Sequence, residues 1–581
     1  MRRRKARIAL SVLLGVILLA AAWAGWTAYR VNQDLNAAVD DVTVLRQAVE
    51  DGDDGAADAA LSDLQGHSGA AADLTDGVIW SLLEQLPSYG DDAHGVAVVS
   101  DVIDDLSESG IEPLVQVSGD LESIVPSGGK IDPAAVRGLQ EPVAAARAAF
   151  AKADDRLSAE DATGYVERLR SKYRELAGQV DDASKALASA DTAVQVLPVM
   201  LGADSPQNYL MVFQNNAEIR ATGGLPGAVS LVHADDGEVA MTRQVAANTF
   251  GFTDTPVLPL TKAEREIYGD LLGTFFLDAN LQPDFPRASD LWKARWEQVY
   301  PEQIDGVLSI DPVAISYVLG ATGPIEVDGI TLTEDNAVDE LLHEVYLRYE
   351  DPADQDTFFR AVASTMFDKI SGGAKSPRDL IAALAKGADE HRLYVHDFDD
   401  TVQAELAGTG VAGELVTEAS STPEVGVYLT DATGAKMSYY LRYDVDVAAT
   451  YCTDGVQGLS GHLRLASDAP DNAATLPKYI TGGGTYGVKP GNQLVFVRLY
   501  GPVGGTVGSV ELNGKPIVGF PSVESNGRKV FTVVAQLKPQ QKVDVTWRMK
   551  SGPGQAGPVH VEVTPSIENA SSSTSVGSAC Q

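Results

Sequence analysis

The hydrophobic period changes twice along this 581-residue chain, and each period permits a different layered architecture. Over residues 31–195 the spacing is helical. Leu35, Val39, Val42, Leu45 and Val49 mark one helix face, and Ala-rich amphipathic stretches follow at 134–152 and 165–196. Breaks fall at 51–55, 87–95 and 126–129. They predict a helical bundle or stalk over 30–196 rather than a coiled coil, which needs uninterrupted heptads. Over 197–415 strand runs alternate with helical stretches. The run 209–213 and the segment 305–310 read as strands. Segments 228–233 and 238–243 flank Asp235-Asp236-Gly237, a hairpin signal. Helical patterns at 287–298, 312–319, 337–349, 356–370 and 377–386 complete an α/β layered domain. Over 424–567 the period is two, as in Tyr443, Val445, Val447 and again in Val543, Val545, Trp547, Met549. This predicts a β-sandwich, followed by a Ser-rich tail at 568–581.

Residues 1–7 form a basic stub, and 8–29 carry no charge. An apolar run of ~20 residues is long enough to span a bilayer as a helix. Basic residues before it keep that end in the cytoplasm, and Trp23 and Trp26 suit the far interface. The expectation is a single-pass protein of the cell membrane, with the bulk of the chain extracytoplasmic. A cleaved signal peptide ending near Ala22-Trp23-Ala24 is the alternative. The expected fold is thus multidomain α+β: a transmembrane helix, a helical bundle, an α/β domain and a C-terminal sandwich.

The net charge is −37, and the first thirty residues contribute +6, leaving about −43 for the remainder. So acidic a surface excludes nucleic acid as a partner. The two cysteines, Cys452 and Cys580, are expected to pair in an exported protein.

Several chemistries lack their motifs: there is no GxxxxGK[ST], HExxH or GxSxG. Gly482, Gly484 and Gly487 match GxGxxG, but in the all-β region, where they read as a turn. Two segments are candidates. In 214–224, at a strand end, Asn215, Asn216, Thr222 and Arg220 offer donors to an anion, and Gly223 and Gly224 permit close backbone approach. A capped turn with Arg220 bridged to a carboxylate is the equal alternative. In 348–360, Arg348 and Arg360 flank acids, of which Asp351 and Asp354 suit Mg²⁺. Helix capping by Asp354 and Asp356 is the plainer reading there.

The block Leu197-Pro198-Val199-Met200-Leu201-Gly202, then Tyr209-Leu210-Met211-Val212-Phe213-Gln214-Asn215-Asn216-Ala217-Glu218-Ile219-Arg220-Ala221-Thr222-Gly223-Gly224, resembles the signature of the bacterial envelope family known as domain of unknown function 4012 (DUF4012). Asp305-Gly306-Val307, Asp311-Pro312 and Thr322-Gly323-Pro324 also fit. In motif order the α/β part is more distantly similar to the LytR–CpsA–Psr phosphotransferases, which move glycans from polyprenyl-pyrophosphate carriers to the cell wall. That likeness implies a lipid-linked glycan or peptidoglycan as partner, Arg220, Arg348 and Arg360 as phosphate clamps with catalytic roles, and Mg²⁺ on Asp351 or Asp354. Ala221-Thr222-Gly223 stands where that family's metal-binding Asp would follow the first arginine, which points to binding without transfer. A non-catalytic scaffold of envelope polysaccharide assembly is the alternative function.

Overall fold

The computed structural model describes all residues except 1, 88, 120–125, 127–128, 373–376, 569–572 and 581, and the backbone alone for 2–22, 50, 377 and 378. The chain forms two compact units. The first comprises Met1–Ile124 and Asp132–Pro198, the second Val125–Ile131 and Val199–Gln581.

The first unit is helical. Its long helices are α1 (Arg2–Asp51), α2 (Asp54–Thr75), α3 (Gly90–Leu106), α4 (Gln140–Ser158) and α5 (Glu167–Met200). The break at 51–55 has a local cause: the Asp53 carboxylate accepts from the Ala56 N–H and starts α2. Ala38, Leu45 and Ala48 of α1 pack on Ala57, Leu61 and Leu64 of α2. Val98, Val102 and Leu106 pack on Ala153 and Leu157, and Arg156 pairs with Asp101 at 2.6 Å.

One expectation is corrected here. Among the described residues no helix is long and apolar enough to cross a membrane, so the transmembrane helix over 8–29 is not supported. The helix that contains this run continues without a break to Asp51. Its described part carries Arg30, Asp34, Asp40, Asp41 and Arg46 and is a packed member of the bundle from Val31 onward. The side chains of 8–22 lie outside the described set.

The second unit combines an α/β part with a sandwich. The first sheet has strand order β3-β2-β1-β4-β7, formed by β1 (Gln207–Arg220), β2 (Gly223–Asp235), β3 (Glu238–Ala246), β4 (Gly306–Ile310) and β7 (Leu393–Asp397). A separate ribbon joins β5 (Ile325–Val327) to β6 (Ile330–Leu332). β1 is parallel to β4 and antiparallel to β2. The β2–β3 turn places Asp236 and Gly237 at φ 47° and 80°, the left-handed pair that a tight hairpin requires.

Alternation along β1 sends its side chains to two different layers. Leu210 and Val212 join the core of α6 (Phe285–Val299), where Trp292 and Trp296 are fully buried. Met211 and Phe213 face the opposite way, toward α7 (Pro312–Thr322) and α8 (Pro352–Ser371). α9 (Pro377–Asp389) completes that layer.

The sandwich is built from β8 (Glu424–Asp431), β9 (Leu441–Thr453), β10 (Val456–Ser467), β11 (Gln493–Tyr500), β12 (Thr506–Leu512), β13 (Lys515–Pro516), β14 (Val523–Ser525), β15 (Arg528–Leu537), β16 (Lys542–Lys550), β17 (Val559–Val563) and β18 (Ser573–Val576). One sheet runs β13-β12-β16-β10-β9, the other β14-β15-β11-β8-β17-β18. Val543, Val545, Trp547 and Met549 of β16 are buried between the sheets, as their period requires. Cys452, at the end of β9, is bonded to Cys580 across a separation of 128 residues. Of the Ser-rich tail, 569–572 and 581 lie outside the described residues. The α/β part and the sandwich share contacts at the end of β1: Ile219 enters the sandwich core, and the Thr564 hydroxyl donates to Ala221 O at 3.1 Å.

Candidate functional site

The layer beyond β1 and β4 is not filled. A cavity of about 280 Å³ lies between that face of the sheet and helices α7 and α8. This is near the lower end of the ~300–1,000 Å³ common for ligand pockets. Met211, Phe213, Leu308 and Ile310 form its sheet wall, and Phe359, Val362, Ala363 and Met366 its helix wall. Small residues, among them Gly227, Ala228, Ala246 and Ala363, leave the space. Asn248 and Arg360 are exposed and mark an open rim. Toward the sandwich the lining turns polar, with Gln214, Asn215, Ser309, Tyr346 and Lys436.

Beneath that polar end lies a belt of buried hydrogen bonds. Sequence reasoning places 214–224 in a loop, whereas β1 runs on through it to Arg220, with register shifts between Phe213 and Gln214 and between Asn215 and Ile219. Gln214 accepts through Oε1 from the Thr222 hydroxyl (2.9 Å), the Gly224 N–H (3.0 Å) and Asn280 Nδ2 (3.1 Å). Asn215 Nδ2 donates to the Tyr346 hydroxyl. Asn216 Nδ2 donates to Asp311 Oδ2 (2.9 Å), which also accepts from the buried Arg392 (3.1 Å). Each of these groups is removed from water, so each needs its partner.

Arg220 is 5% exposed. It donates to Glu218 Oε1 and Asp278 Oδ1, both at 3.1 Å, and to Ile219 O. Glu218 accepts a second cation, Lys436 Nζ, at 2.9 Å. Burial alone would raise the Glu218 carboxyl, but Lys436 and Arg220 together hold it below its ordinary value. For Asp278 burial wins and its pKa is raised, Arg220 opposing only in part. Burial, reinforced by Glu218, pushes Asp431 up to about 6.

With this geometry in view, the signature residues have a structural setting that a family comparison also picks out. Residues 204–346 match the family model described as Protein of unknown function (DUF4012). No curated protein matches the chain. The DUF4012 segment contains β1, the sheet wall of the cavity, Asp278, Asn280, Asp311 and Tyr346; Arg348, Arg360 and Lys436 lie beyond it.

Of the three arginines expected to clamp phosphate, the structure brings Arg360 alone to the cavity. Arg220 is enclosed by carboxylates, and Arg348 pairs with Glu340 at 2.8 Å. Of the expected ligand-binding residues, Asn215 lines the cavity. Asn216 and Thr222 are engaged in the belt, and Gly223 and Gly224 pair with the end of β1. The paired glycines answer to protein backbone. A Cβ on Gly224 would lie 2.3 Å from Asn215 C and 2.5 Å from Asn215 O, and Gly223 has φ +126°. Gly224→Ala should therefore cost about 3 kcal/mol, the upper end for overpacking. Urea denaturation of the purified chain checks this, and an unchanged midpoint would refute it.

Asp351 accepts from the Ala353 N–H and caps α8, while Asp354 lies exposed in its first turn. Among the described residues no group of three or more His, Cys, Asp or Glu is arranged to hold a metal ion. Asp278, Asn280 and Lys436 were missed by the sequence reading. Asp278 and Asn280 had a signal, two polar residues inside the apolar stretch 275–281; such a placement calls for buried partners. Lys436 had none.

Proposed function

We propose that the second unit binds the apolar chain of a lipid-linked phosphate or pyrophosphate, of the polyprenyl class that carries envelope glycans, and that it binds without transferring. The cavity between the β1–β4 face and α8 carries this reading, because its walls are apolar and its ends are polar. The likeness in motif order to the LytR–CpsA–Psr enzymes supplies the chemical class. The Cys452–Cys580 disulfide supports an oxidising, exported setting. Transfer is disfavoured because Glu218 and Asp278 already take up the charge of Arg220, and Thr222 stands where the likeness would put a metal-binding Asp.

A second reading, a non-catalytic scaffold of envelope assembly, is favoured by that same closure of Arg220, which leaves the signature a structural role. Binding of farnesyl phosphate to the full chain, measured by calorimetry, separates the two. The expected result is saturable binding that Ala363→Phe weakens at least tenfold by filling the cavity, with the fold retained by circular dichroism. Absence of binding, or binding indifferent to Ala363→Phe, would leave the scaffold reading.

A further inference from the structure

Lys436 is an unusual wall for an apolar cavity. It is 5% exposed and lies on a short 3₁₀ turn (Lys436–Tyr440) that precedes β9. An ammonium carries three N–H donors. Among the described residues Glu218 is its one hydrogen-bond acceptor, and Glu218 is shared with Arg220. The remaining surroundings are aromatic. The Lys436 ammonium lies 5.8 Å from the ring centres of both Tyr346 and Tyr479, and those rings are 5.5 Å apart. Tyr346 accepts from Asn215 and keeps its own hydroxyl proton to give. Tyr479 is 42% exposed, so this end of the cavity reaches solvent. Lys436, Tyr346 and Tyr479 all line the cavity.

A buried cation with spare donors is costly unless an acceptor meets it. Arg220 donates to Glu218, Asp278 and Ile219 O and does not line the cavity, whereas Lys436 lines it and has two donors without an acceptor among the described residues. We propose that Lys436, with the Tyr346 hydroxyl, forms a head-group subsite that holds an oxyanion, phosphate or carboxylate, while the apolar chain of the same molecule extends along β1 and α8. This rests on the lipid-binding reading above and assigns the head to a residue from the sandwich side, outside the DUF4012 match. A point charge with rotatable donors suits an oxyanion of either geometry.

The test compares farnesyl phosphate, farnesol and laurate on the intact chain by calorimetry. Farnesyl phosphate is expected to bind at least tenfold more tightly than farnesol. That preference should vanish in the double variant Lys436→Gln, Glu218→Gln, which removes opposite charges together and strands neither. Laurate binding that depends on Lys436 would support a general oxyanion subsite, and laurate failing where farnesyl phosphate succeeds would support one specific to phosphate. Should phosphate and alcohol bind equally well to the wild type, the subsite is overturned while lipid binding stands. A preference that survives the double variant also overturns it. If none of the three binds, the lipid-binding reading falls, and the subsite with it.

Discussion

Arg220→Ala is expected to destabilise the second unit by about 3–5 kcal/mol, the range for removing one partner of a buried ion pair. The loss is not that of the bonds themselves. Glu218 and Asp278 stay behind, buried, and one cation of the cluster is gone. Lys436 still serves Glu218, but Asp278 has no second cation at hydrogen-bond distance among the described residues. Arg220→Lys keeps the charge yet cannot replace the fork that reaches Glu218, Asp278 and Ile219 O together. It should fall between wild type and alanine. Adding Asp278→Asn to Arg220→Ala should restore part of the loss, because the stranded charge is then removed. Urea titration followed by tryptophan fluorescence reads Trp547 of the sandwich and Trp292 and Trp296 of α6, together with Trp23, Trp26 and Trp80 of the first unit. A transition of Arg220→Ala superimposable on the wild type would show that the ion pairs carry no net stability.

Replacing both cysteines by serine is expected to cost about 2–4 kcal/mol, with up to ~4.7 kcal/mol as the chain-entropy value for a loop of about a hundred residues. The effect belongs mainly to the unfolded chain, where the bond closes a loop spanning 128 residues. The native tail has other holds. β18 pairs with β17, the Ser578 hydroxyl donates to Ala556 O, and the Ala579 N–H donates to Gln457 Oε1. The variant should therefore keep the native circular dichroism spectrum while unfolding at lower denaturant. Non-reduced peptide mapping of the wild type checks the pairing itself. An unshifted midpoint in the serine variant would mean that the tail's own contacts suffice.

What the sequence disclosed was periodic. The two-residue alternation of β16, the hairpin at Asp236 and Gly237, and the pairing of two lone cysteines each follow from local pattern or from a forced choice. What it concealed was relational. Residues 214–220 are polar enough to read as a loop, yet they form a buried strand because their partners arrive from Asp278, Asp311, Tyr346 and Lys436. No window of sequence contains those pairs. The run 8–29 misled for a related reason. Its composition satisfied a length rule, while the helix that includes it is a long element of the bundle, amphipathic over its described second half. Arg348 and Arg360 sit only twelve positions apart, but one faces Glu340 and the other the cavity rim; spacing alone does not tell them apart.

The placement of β8 bears on how the chain is made. It lies between β11 and β17, both of which follow it in sequence. On a ribosome, β8 therefore emerges with two bare edges, and the second stays bare until residues 559–563 have been added. Exposed edges of buried, apolar strands invite pairing with other chains, and such delayed contacts fold slowly. Nascent chains of this protein should need chaperone cover through that interval. A message truncated before Val559 would release a product whose sandwich can form one sheet and only part of the other.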